Sequence, residues 1–344
     1  MFGAELKRVW VKNFKSLRDF SLDVKSKFVA ITGPSGSGKT SLVEVFELWR
    51  DVVEYVRGNA PNPFLKWWSY EHAVWRGDAS QPITLGLELS VEDVRIWYEL
   101  ELYRRGADER VAVDRGGARL EYSDGVLRPG GAALHRNLLF AVCAGERIPS
   151  RTDGARLLLR AVATVCRFVS GFTVLKELNW AELRRPQRPE KQIRLLPDAS
   201  NLIPLLLQLT GGRPAPQIKE TLRRLGYTSM SFPVAEDGRI YLRLAKADCA
   251  SVAQPAVPSG VFKALALEVA LMLQPTLIAV DGFECHLDED AQLYFLDRLM
   301  NSGAYVFITT RSDTALQRIR ETGEVVELTL ENGETKLRQL SGRT

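Results

Sequence analysis

The spacing of apolar residues predicts a strand-rich N-terminus that leads into a helix. Apolar and polar residues alternate over residues 8–14 and 19–24, and this period of two predicts β-strands. Residues 27–32 are mostly apolar and predict a buried strand. Between residues 41 and 56, apolar side chains recur at three- and four-residue steps, which predicts an amphipathic helix. The chain is therefore predicted to begin as an α/β fold.

A second strand-rich region follows. Residues 83–127 return to a period of two and predict an antiparallel β meander, with turns at Gly106, Gly116-Gly117 and Gly125. Before it, residues 58–78 are rich in aromatic side chains and contain prolines. Two interpretations stay open for this segment. It is either a loop that packs its rings on the body of the protein or a platform on which an adenine ring or a nucleic-acid base stacks.

The middle of the chain is predicted to be helical. Apolar spacing over three stretches, 151–168, 201–209 and 217–225, indicates helices. A basic linker broken by prolines, residues 184–191, lies among them and is either solvated or in contact with phosphate. We expect a helical sub-domain inserted into an α/β body.

The last hundred residues return to an α/β pattern. The apolar pattern predicts a strand at 240–244, a helix at 262–273, a buried strand at 276–280, a helix at 292–300 and a buried strand at 304–309. Asn332-Gly333 then predicts a hairpin that joins residues 325–330 to residues 336–340.

Composition is that of a folded globular protein and excludes a disordered or fibrous chain. Of the 344 residues, 45% are hydrophobic and 26% are charged. No charge-free stretch reaches the roughly 18 residues of a membrane-spanning helix. The N-terminus is charged and does not resemble a secretory signal. We therefore expect a cytoplasmic protein without a membrane partner.

Charge and cysteine content add little to this picture. The net charge of +4 is too small to indicate a nucleic-acid partner by itself. The four cysteines are scattered and form no CxxC pair. We therefore expect neither a disulfide framework nor a zinc site.

Residues 33–40 read Gly-Pro-Ser-Gly-Ser-Gly-Lys-Thr and match the P-loop pattern GxxxxGK[ST] in full. The glycines let successive backbone N–H groups surround phosphate oxygens, and the helix N-terminus adds a partial positive charge. The pattern predicts ATP binding, with Lys39 on the β- and γ-phosphates and Thr40 as a Mg²⁺ ligand. The predicted nucleotide contacts are Gly33, Pro34, Ser35, Gly36, Ser37, Gly38, Lys39, Thr40 and Ser41.

A second Mg²⁺ ligand is expected at Asp281. The apolar strand Leu-Ile-Ala-Val ends directly before this aspartate, which is the Walker B form. Asp281 is predicted to hold Mg²⁺ directly or through water. The alternative is an ordinary exposed aspartate at a strand end.

Further short motifs accompany the P-loop. They are Asn13-Phe14-Lys15-Ser16 before the P-loop strand, Pro197-Asp198-Ala199-Ser200-Asn201-Leu202 in the helical region, Ser259-Gly260 at a predicted helix start, and His286-Leu287-Asp288 after the Walker B strand. In this order they resemble the motifs of the ABC-type ATPases of the SMC/RecF/OLD branch, with Ser259-Gly260 as a shortened signature and Asp288 at the D-loop position. Within the P-loop, Ser35 differs from the Asn that SMC and RecF proteins usually carry. From its position, Ser259 is also expected to cap the helix that follows.

The resemblance implies an α/β P-loop NTPase fold, ABC-ATPase-like, and a homodimer that sandwiches two Mg-ATP molecules. Each copy would complete its partner's site with Ser259, Gly260 and Asp288. It further implies a RecF/SMC-like ATPase of DNA repair or anti-phage defence. Its cofactors would be ATP and Mg²⁺, and its partners DNA and a separate effector protein, a nuclease or a toxin.

Two positions depart from the family pattern. Gly282 stands where ABC enzymes place a glutamate that orients the attacking water. Glu284 is the next carboxylate along the chain after this position, and we expect it to be the catalytic base. Lys39 and Asp281 are the other expected catalytic residues. Arg311 stands where a switch histidine usually follows the next strand. It is expected to bind a γ-phosphate or to be a solvated charge, and it cannot act as a base.

The motif order predicts three regions. Residues 1–134 form an ATPase lobe with the P-loop and the meander, residues 135–235 a helical insertion, and residues 236–344 a second ATPase lobe with signature, Walker B strand and D-loop. Two other functions stay open. One is a non-hydrolysing ATP-gated scaffold or regulatory subunit, because of Gly282 and Arg311. The other is a monomeric P-loop kinase of small molecules.

Overall fold

The computed structural model describes residues 3–129, 132–133, 137–248 and 250–338. Its internal contacts divide the chain into two units. The P-loop unit comprises Met1–Phe172 and Gly323–Thr344, and the Walker B unit comprises Thr173–Thr322. The two ends of the chain thus fold within one unit. The three-region division expected above stays a prediction, and its boundary at residues 134 and 135 lies outside the described residues.

Antiparallel strands dominate the P-loop unit. The strands up to residue 133 are β1 Glu5–Phe14, β2 Leu17–Asp23, β3 Phe28–Thr32, β4 Ile83–Val91, β5 Val94–Leu102, β6 Ala107–Arg115, β7 Ala118–Ser123, β8 Val126–Arg128 and β9 Ala132–Ala133. All of them except β3 form one eight-stranded sheet in the order β2-β1-β4-β5-β6-β7-β8-β9. The predicted meander is confirmed, because alternating apolar side chains of these strands face one core.

Strand β3 pairs with a C-terminal hairpin. It runs parallel to β16, Glu324–Glu331, which turns at Asn332-Gly333 into the antiparallel β17, Glu334–Arg338. Both turn residues have positive φ, 53° and 83°, as a type I′ turn requires. The predicted hairpin is confirmed as far as Arg338; Gln339 and Leu340 lie outside the described residues.

Helices cover the inner face of the antiparallel sheet. The helices of this unit are α1 Lys39–Val56, α2 Tyr70–Ala73, α3 Leu138–Cys143 and α4 Asp153–Ser170. Trp49 of α1 is fully buried, and its ring lies 5.9 Å from that of Tyr98 on β5. On another side of α1, Phe46 meets Phe172, which also contacts Phe168 of α4. Aromatic burial of this kind contributes about 2–3 kcal/mol per side chain, so α1 is firmly held behind the P-loop.

The aromatic segment, residues 58–78, folds into single helical turns around α2 and is not a plain loop. Trp67 packs edge-on against Phe14, at 5.2 Å between ring centroids, and the ammonium groups of Lys15 and Lys66 lie over its ring. Most of its rings thus pack on the body of the unit. Trp68 is the exception: its side chain is 83% exposed and its φ is +69°.

The structure pairs two cysteines. Cys143 of α3 and Cys166 of α4 form a disulfide, with 6.0 Å between their Cα atoms. No disulfide framework was expected from the scattered cysteines, and this one disulfide departs from that expectation because the packing of α3 on α4 brings the two residues together across 23 residues of sequence. Cys285 is free, and Cys249 lies outside the described residues.

The Walker B unit mixes short helices with parallel strands. Its helices are α5 Trp180–Leu183, α6 Leu202–Thr210, α7 Pro216–Arg224, α8 Ser259–Met272, α9 Glu289–Met300 and α10 Asp313–Arg320. Its strands are β10 Phe172–Leu175, which begins at the last residue of the P-loop unit, β11 Ser229–Ser231, β12 Arg243–Ala245, β13 Ser251–Ala253, β14 Leu277–Val280 and β15 Tyr305–Thr309. Strands β14 and β15 are parallel and buried, as predicted.

One strand prediction in this unit is wrong in extent. Residues 240–244 were predicted to be a strand, but the ladder of the small sheet β11-β12-β13 begins only at Arg243. The side chain of Gln254 explains the difference, because its oxygen accepts a hydrogen bond from Leu242 N at 2.7 Å. That amide is thereby withdrawn from strand pairing.

A buried polar cluster joins three helices of the Walker B unit. Glu268 of α8 is fully buried and accepts hydrogen bonds from Thr221 of α7, at 2.7 Å, and Arg298 of α9, at 2.8 Å. Because a buried carboxylate is costly without partners, these bonds fix the three helices relative to one another.

Among the helices that the structure describes, none combines the length and the apolar character needed to cross a membrane.

Candidate nucleotide site

The P-loop lies between β3 and α1 and depends on three glycines with positive φ. Gly33, Gly36 and Gly38 have φ values of 138°, 79° and 97°, which side-chain-bearing residues rarely adopt. Lys39 is the first residue of α1. Its ammonium donates hydrogen bonds to the carbonyl oxygens of Gly33, at 2.7 Å, and Pro34, at 2.6 Å. The lysine charge therefore lies over the loop, beside the N-terminus of α1.

The hairpin β16–β17 backs the P-loop. A β-carbon at Gly33 would lie 2.2 Å from the carbonyl oxygen of Leu328, and one at Gly38 would lie 2.0 Å from the hydroxyl oxygen of Thr335. Thr335 is 2% exposed; its hydroxyl donates to the Ser16 hydroxyl at 2.8 Å, and its amide donates to the Ser16 carbonyl at 2.8 Å. Glycine is thus required at 33 and 38 by close packing as well as by φ.

We expect Gly38→Ala to destabilise the P-loop unit by about 3 kcal/mol or more, from left-handed backbone strain of about 1–2 kcal/mol and the clash with Thr335. Gly36→Ala is the matched control, because Gly36 has a similar φ but open space around its α-carbon. Its free energy of unfolding should fall only by the amount of the backbone strain. Urea unfolding measures both. Equal losses in the two variants would contradict the packing argument.

The Asn13–Ser16 motif connects three parts of the P-loop unit: the antiparallel sheet, the aromatic segment and helix α1. The Asn13 side chain donates to the carbonyl oxygens of Asp78 and Gln81, and its own oxygen accepts from Trp75 N. Lys15 forms an ion pair with the largely buried Glu44 of α1. Both motif residues have positive φ, 55° and 50°. The motif therefore anchors the aromatic segment and the P-loop helix to the sheet.

In the Walker B unit, Asp281 follows the last residue of β14. The hydroxyl of Thr309, at the end of β15, donates to Asp281 Oδ1 at 2.6 Å and accepts from Gly282 N at 2.7 Å. Thr309 is buried. The two strand ends thus fix the orientation of the carboxylate, and the sequence patterns did not reveal the role of Thr309.

Glu284 lies three residues further on, in the turn after β14. Its Oε1 accepts a hydrogen bond from the backbone amide of Arg311 at 3.0 Å. Its Oε2 is buried and has no hydrogen-bond partner among the described residues. Buried carboxylate oxygens are normally bonded, so Oε2 is suited to accept a proton or a hydrogen bond from a bound water.

Gly282, at the position of the usual family glutamate, cannot easily carry a side chain. Its φ is +57°, and a β-carbon there would lie 2.9 Å from the sulfur of Cys285. A glutamate at this position would be strained unless the backbone changed its φ and ψ angles. The departure from the family pattern is therefore built into the turn, and Glu284 is the carboxylate that this turn presents.

The signature and D-loop residues lie at helix starts of the same unit. Ser259 is the first residue of α8, and Pro258 is the N-cap. The expectation that Ser259 caps this helix is wrong, because the residue is already inside the first turn and makes no capping bond. Asp288 caps α9, since its Oδ1 accepts from Ala291 N at 2.8 Å. His286 packs its ring edge-on against Trp180.

The chemistry of these residues fits ATP and Mg²⁺. Lys39 and the amides at the start of α1 suit phosphate oxygens. The hydroxyl of Thr40 and the carboxylate of Asp281 are hard oxygen ligands of the kind that Mg²⁺ prefers. Gly36 leaves the cradle open, since a β-carbon there would meet nothing within 4 Å. The P-loop residues belong to one unit and Asp281, Glu284, Ser259, Gly260, Asp288 and Arg311 to the other.

Comparisons with known proteins find likenesses in sequence over short segments of the chain. A protein-family model described as an AAA domain matches residues 8–49. The chromosome partition protein Smc of Methanocaldococcus jannaschii is 41% identical over 56 residues. That segment is 16% of this chain and 5% of the length of the Smc protein.

Solved structures extend the likeness to the whole chain. The Smc head domain of Pyrococcus furiosus with an extended coiled coil, bound to the C-terminal domain of ScpA, superposes with a TM-score of 0.53 at 11% identity, covering 97% of this chain and 96% of that one. The chain is SMC-like in fold. An Smc head bound to the C-winged-helix domain of ScpA gives a TM-score of 0.50 at 13% identity, covering 98% of both chains. The expected fold, an SMC-like ABC-ATPase fold, is confirmed.

Proposed function

We propose that this SMC-like protein binds Mg-ATP and hydrolyses it slowly. One observation carries the proposal: a full P-loop in which the hairpin β16–β17 backs Gly33 and Gly38 and the lysine lies over the loop. The P-loop unit supplies Lys39 and Thr40 to the proposal, and the Walker B unit supplies Asp281 and Glu284.

Each residue has a distinct part in the proposed reaction. Lys39 and the loop amides stabilise negative charge on the β- and γ-phosphates. Thr40 and Asp281 hold Mg²⁺, which neutralises phosphate charge when bound. Thr309 keeps Asp281 in one orientation. Glu284 orients the attacking water through its unpaired oxygen.

The proposed active form is a homodimer. The chain has one P-loop and one signature, so in the family arrangement each copy would offer Ser259, Gly260 and Asp288 to the nucleotide on the other copy. Arg311 is a candidate for γ-phosphate contact, since its side chain is exposed while its backbone amide holds Glu284. ATP would close the dimer, and hydrolysis would open it.

We expect light scattering to show twice the monomer mass when Glu284→Gln is mixed with Mg-ATP, because binding without hydrolysis keeps the dimer closed. Lys39→Ala should stay monomeric under the same conditions. A monomer in every nucleotide condition would contradict the sandwich dimer and favour the small-molecule kinase.

The physiological part of the proposal is a cytoplasmic role in DNA repair or anti-phage defence. It rests on the likeness to SMC proteins, one of which is described as a chromosome partition protein. Two similar structures contain an Smc head bound to a domain of another protein, ScpA. We therefore propose DNA and a separate effector protein, a nuclease or a toxin, as partners.

A non-hydrolysing ATP-gated scaffold is the second candidate, and the geometry of Gly282 favours it. Steady-state phosphate release separates the two functions. Turnover above that of Lys39→Ala supports the ATPase. Turnover equal to that of Lys39→Ala, with intact ATP binding, supports the scaffold.

A further inference from the structure

Helix α8 contacts both ends of one short turn, residues 282–286, which we call the Glu284 turn. At one end, a β-carbon at Gly260 would lie only 2.6 Å from the carbonyl oxygen of His286. At the other end, Lys263 Nζ lies 3.4 Å from the carbonyl oxygen of Gly282. Residues 260 and 263 are one helical turn apart and share a face of α8. One face of α8 thus contacts the turn at both ends.

The burial of Lys263 is unusual. The side chain is 2% exposed, and lysine is seldom so buried unless its ammonium has partners. Burial lowers the pKa of Lys263, while the neighbouring Cys285, Asp281 and Glu284 act in the opposite direction. Two of these three neighbours, Asp281 and Glu284, have a part in the proposed reaction.

The Glu284 turn is also held by the end of β15: Gly282 N donates to the Thr309 hydroxyl at 2.7 Å, and Phe283 N donates to the Thr309 carbonyl oxygen at 2.9 Å. The carbonyl groups of the turn are bonded mainly within the turn itself. The Gly282 carbonyl also accepts from Cys285 N at 3.1 Å, and the Glu284 carbonyl accepts from Leu287 N at 3.1 Å. Gly282 has no side chain to pack, and its amide is bonded to Thr309, so its carbonyl group is the part of this residue that α8 can hold. The contact from Lys263 supplies a charged donor at that point, and charged donors form the stronger hydrogen bonds.

We propose that Lys263 is a positioning residue: its buried ammonium holds the Gly282 carbonyl and thereby fixes the turn that aims Glu284. This inference deepens the proposed function, since it rests on Glu284 as the group that orients water. Lys263 itself is not expected to touch the nucleotide, because the helix and the turn enclose it.

Hydrogen exchange tests the structural half of the proposal without any hydrolysis. In Lys263→Met, the amides of residues 282–287 should exchange about tenfold faster than in wild type. Lys219→Met is the matched control, an exposed lysine on α7 of the same unit, and should leave these amides unchanged. Lys263→Gln keeps a neutral donor, so its exchange rates for these amides should lie between those of wild type and Lys263→Met. It replaces Lys263→Met in the test if the methionine variant does not fold.

Unchanged exchange in the folded variants would overturn the proposal whether or not the protein hydrolyses ATP. Conversely, a wild type that hydrolyses no more ATP than Lys39→Ala would remove the proposed ATPase function while the exchange result still stood. The two failures are therefore distinguishable.

A double-mutant cycle tests the functional half. Lys263→Met should lower kcat about tenfold or more, with KM and ATP affinity unchanged, because only the aim of Glu284 is lost. In a Glu284→Gln background the same change should cause no further loss. Independent, multiplying losses, or a parallel loss of ATP affinity, would contradict positioning through Glu284.

Discussion

Replacing Lys39 with alanine is expected to reduce Mg-ATP affinity by a factor of about one hundred or more and to abolish turnover. The ammonium is placed over the P-loop by its bonds to the Gly33 and Pro34 carbonyl oxygens. Charge-assisted contacts to phosphate contribute about 1.5–3 kcal/mol each, and none of the loop's backbone amides can replace them. Titration calorimetry with Mg-ATP measures the affinity, and phosphate release measures the turnover.

Lys12→Ala is the control for this variant, because Lys12 is exposed on β1. It should bind ATP as wild type does. The loss in Lys39→Ala must also occur without a matching loss of stability, since the loop keeps its glycine packing against Leu328 and Thr335. ATP affinity in Lys39→Ala within threefold of wild type would contradict the assignment of the P-loop as the nucleotide site.

Glu284→Gln is expected to lower kcat by a factor of about one hundred to ten thousand, the range for loss of a general base, and to leave ATP affinity nearly unchanged. Glutamine is isosteric, and its amide oxygen can still accept from Arg311 N. The change removes the negative charge and with it the ability of Oε2 to accept a proton. Single-turnover hydrolysis measured beside ATP binding separates the two effects.

Glu236→Gln provides the matched control, since Glu236 is an exposed glutamate in a loop of the same unit. It should behave as wild type. Full activity in Glu284→Gln would show that another group orients the water, and it would also remove the basis for Lys263 as a positioning residue.

Local patterns in the sequence predicted most of the strands and helices that frame the site. Period-two alternation identified the meander, and Asn332-Gly333 identified the hairpin, because each signal depends on neighbouring residues alone. Helix α10 and the short strands β11 and β13 were missed, since their apolar content is too low for periodicity to show them. The strand predicted at 240–244 is too long, because the side chain of Gln254 accepts the hydrogen bond from Leu242 N and no local pattern reveals this contact.

The site was predictable to a lesser degree. Sequence motifs predict the P-loop and Asp281, but they do not predict the residues that pack against them or bond to them. Thr335 lies against Gly38 and Thr309 against Asp281 only after the chain has folded. No sequence pattern distinguishes Lys263 from the other residues of its apolar helix. Its proposed role depends on its burial and on its contact with the Glu284 turn, which only the structure shows.

The backing of the P-loop has a consequence for biosynthesis. Gly33 and Gly38 are translated well before Leu328 and Thr335, against which they pack. A nascent chain therefore carries the phosphate-binding sequence long before it can hold that loop in shape. Until synthesis reaches the hairpin, Gly33 and Gly38 lack the two residues that pack against them, and we expect the loop to gain its fixed shape only after Thr335 has been added.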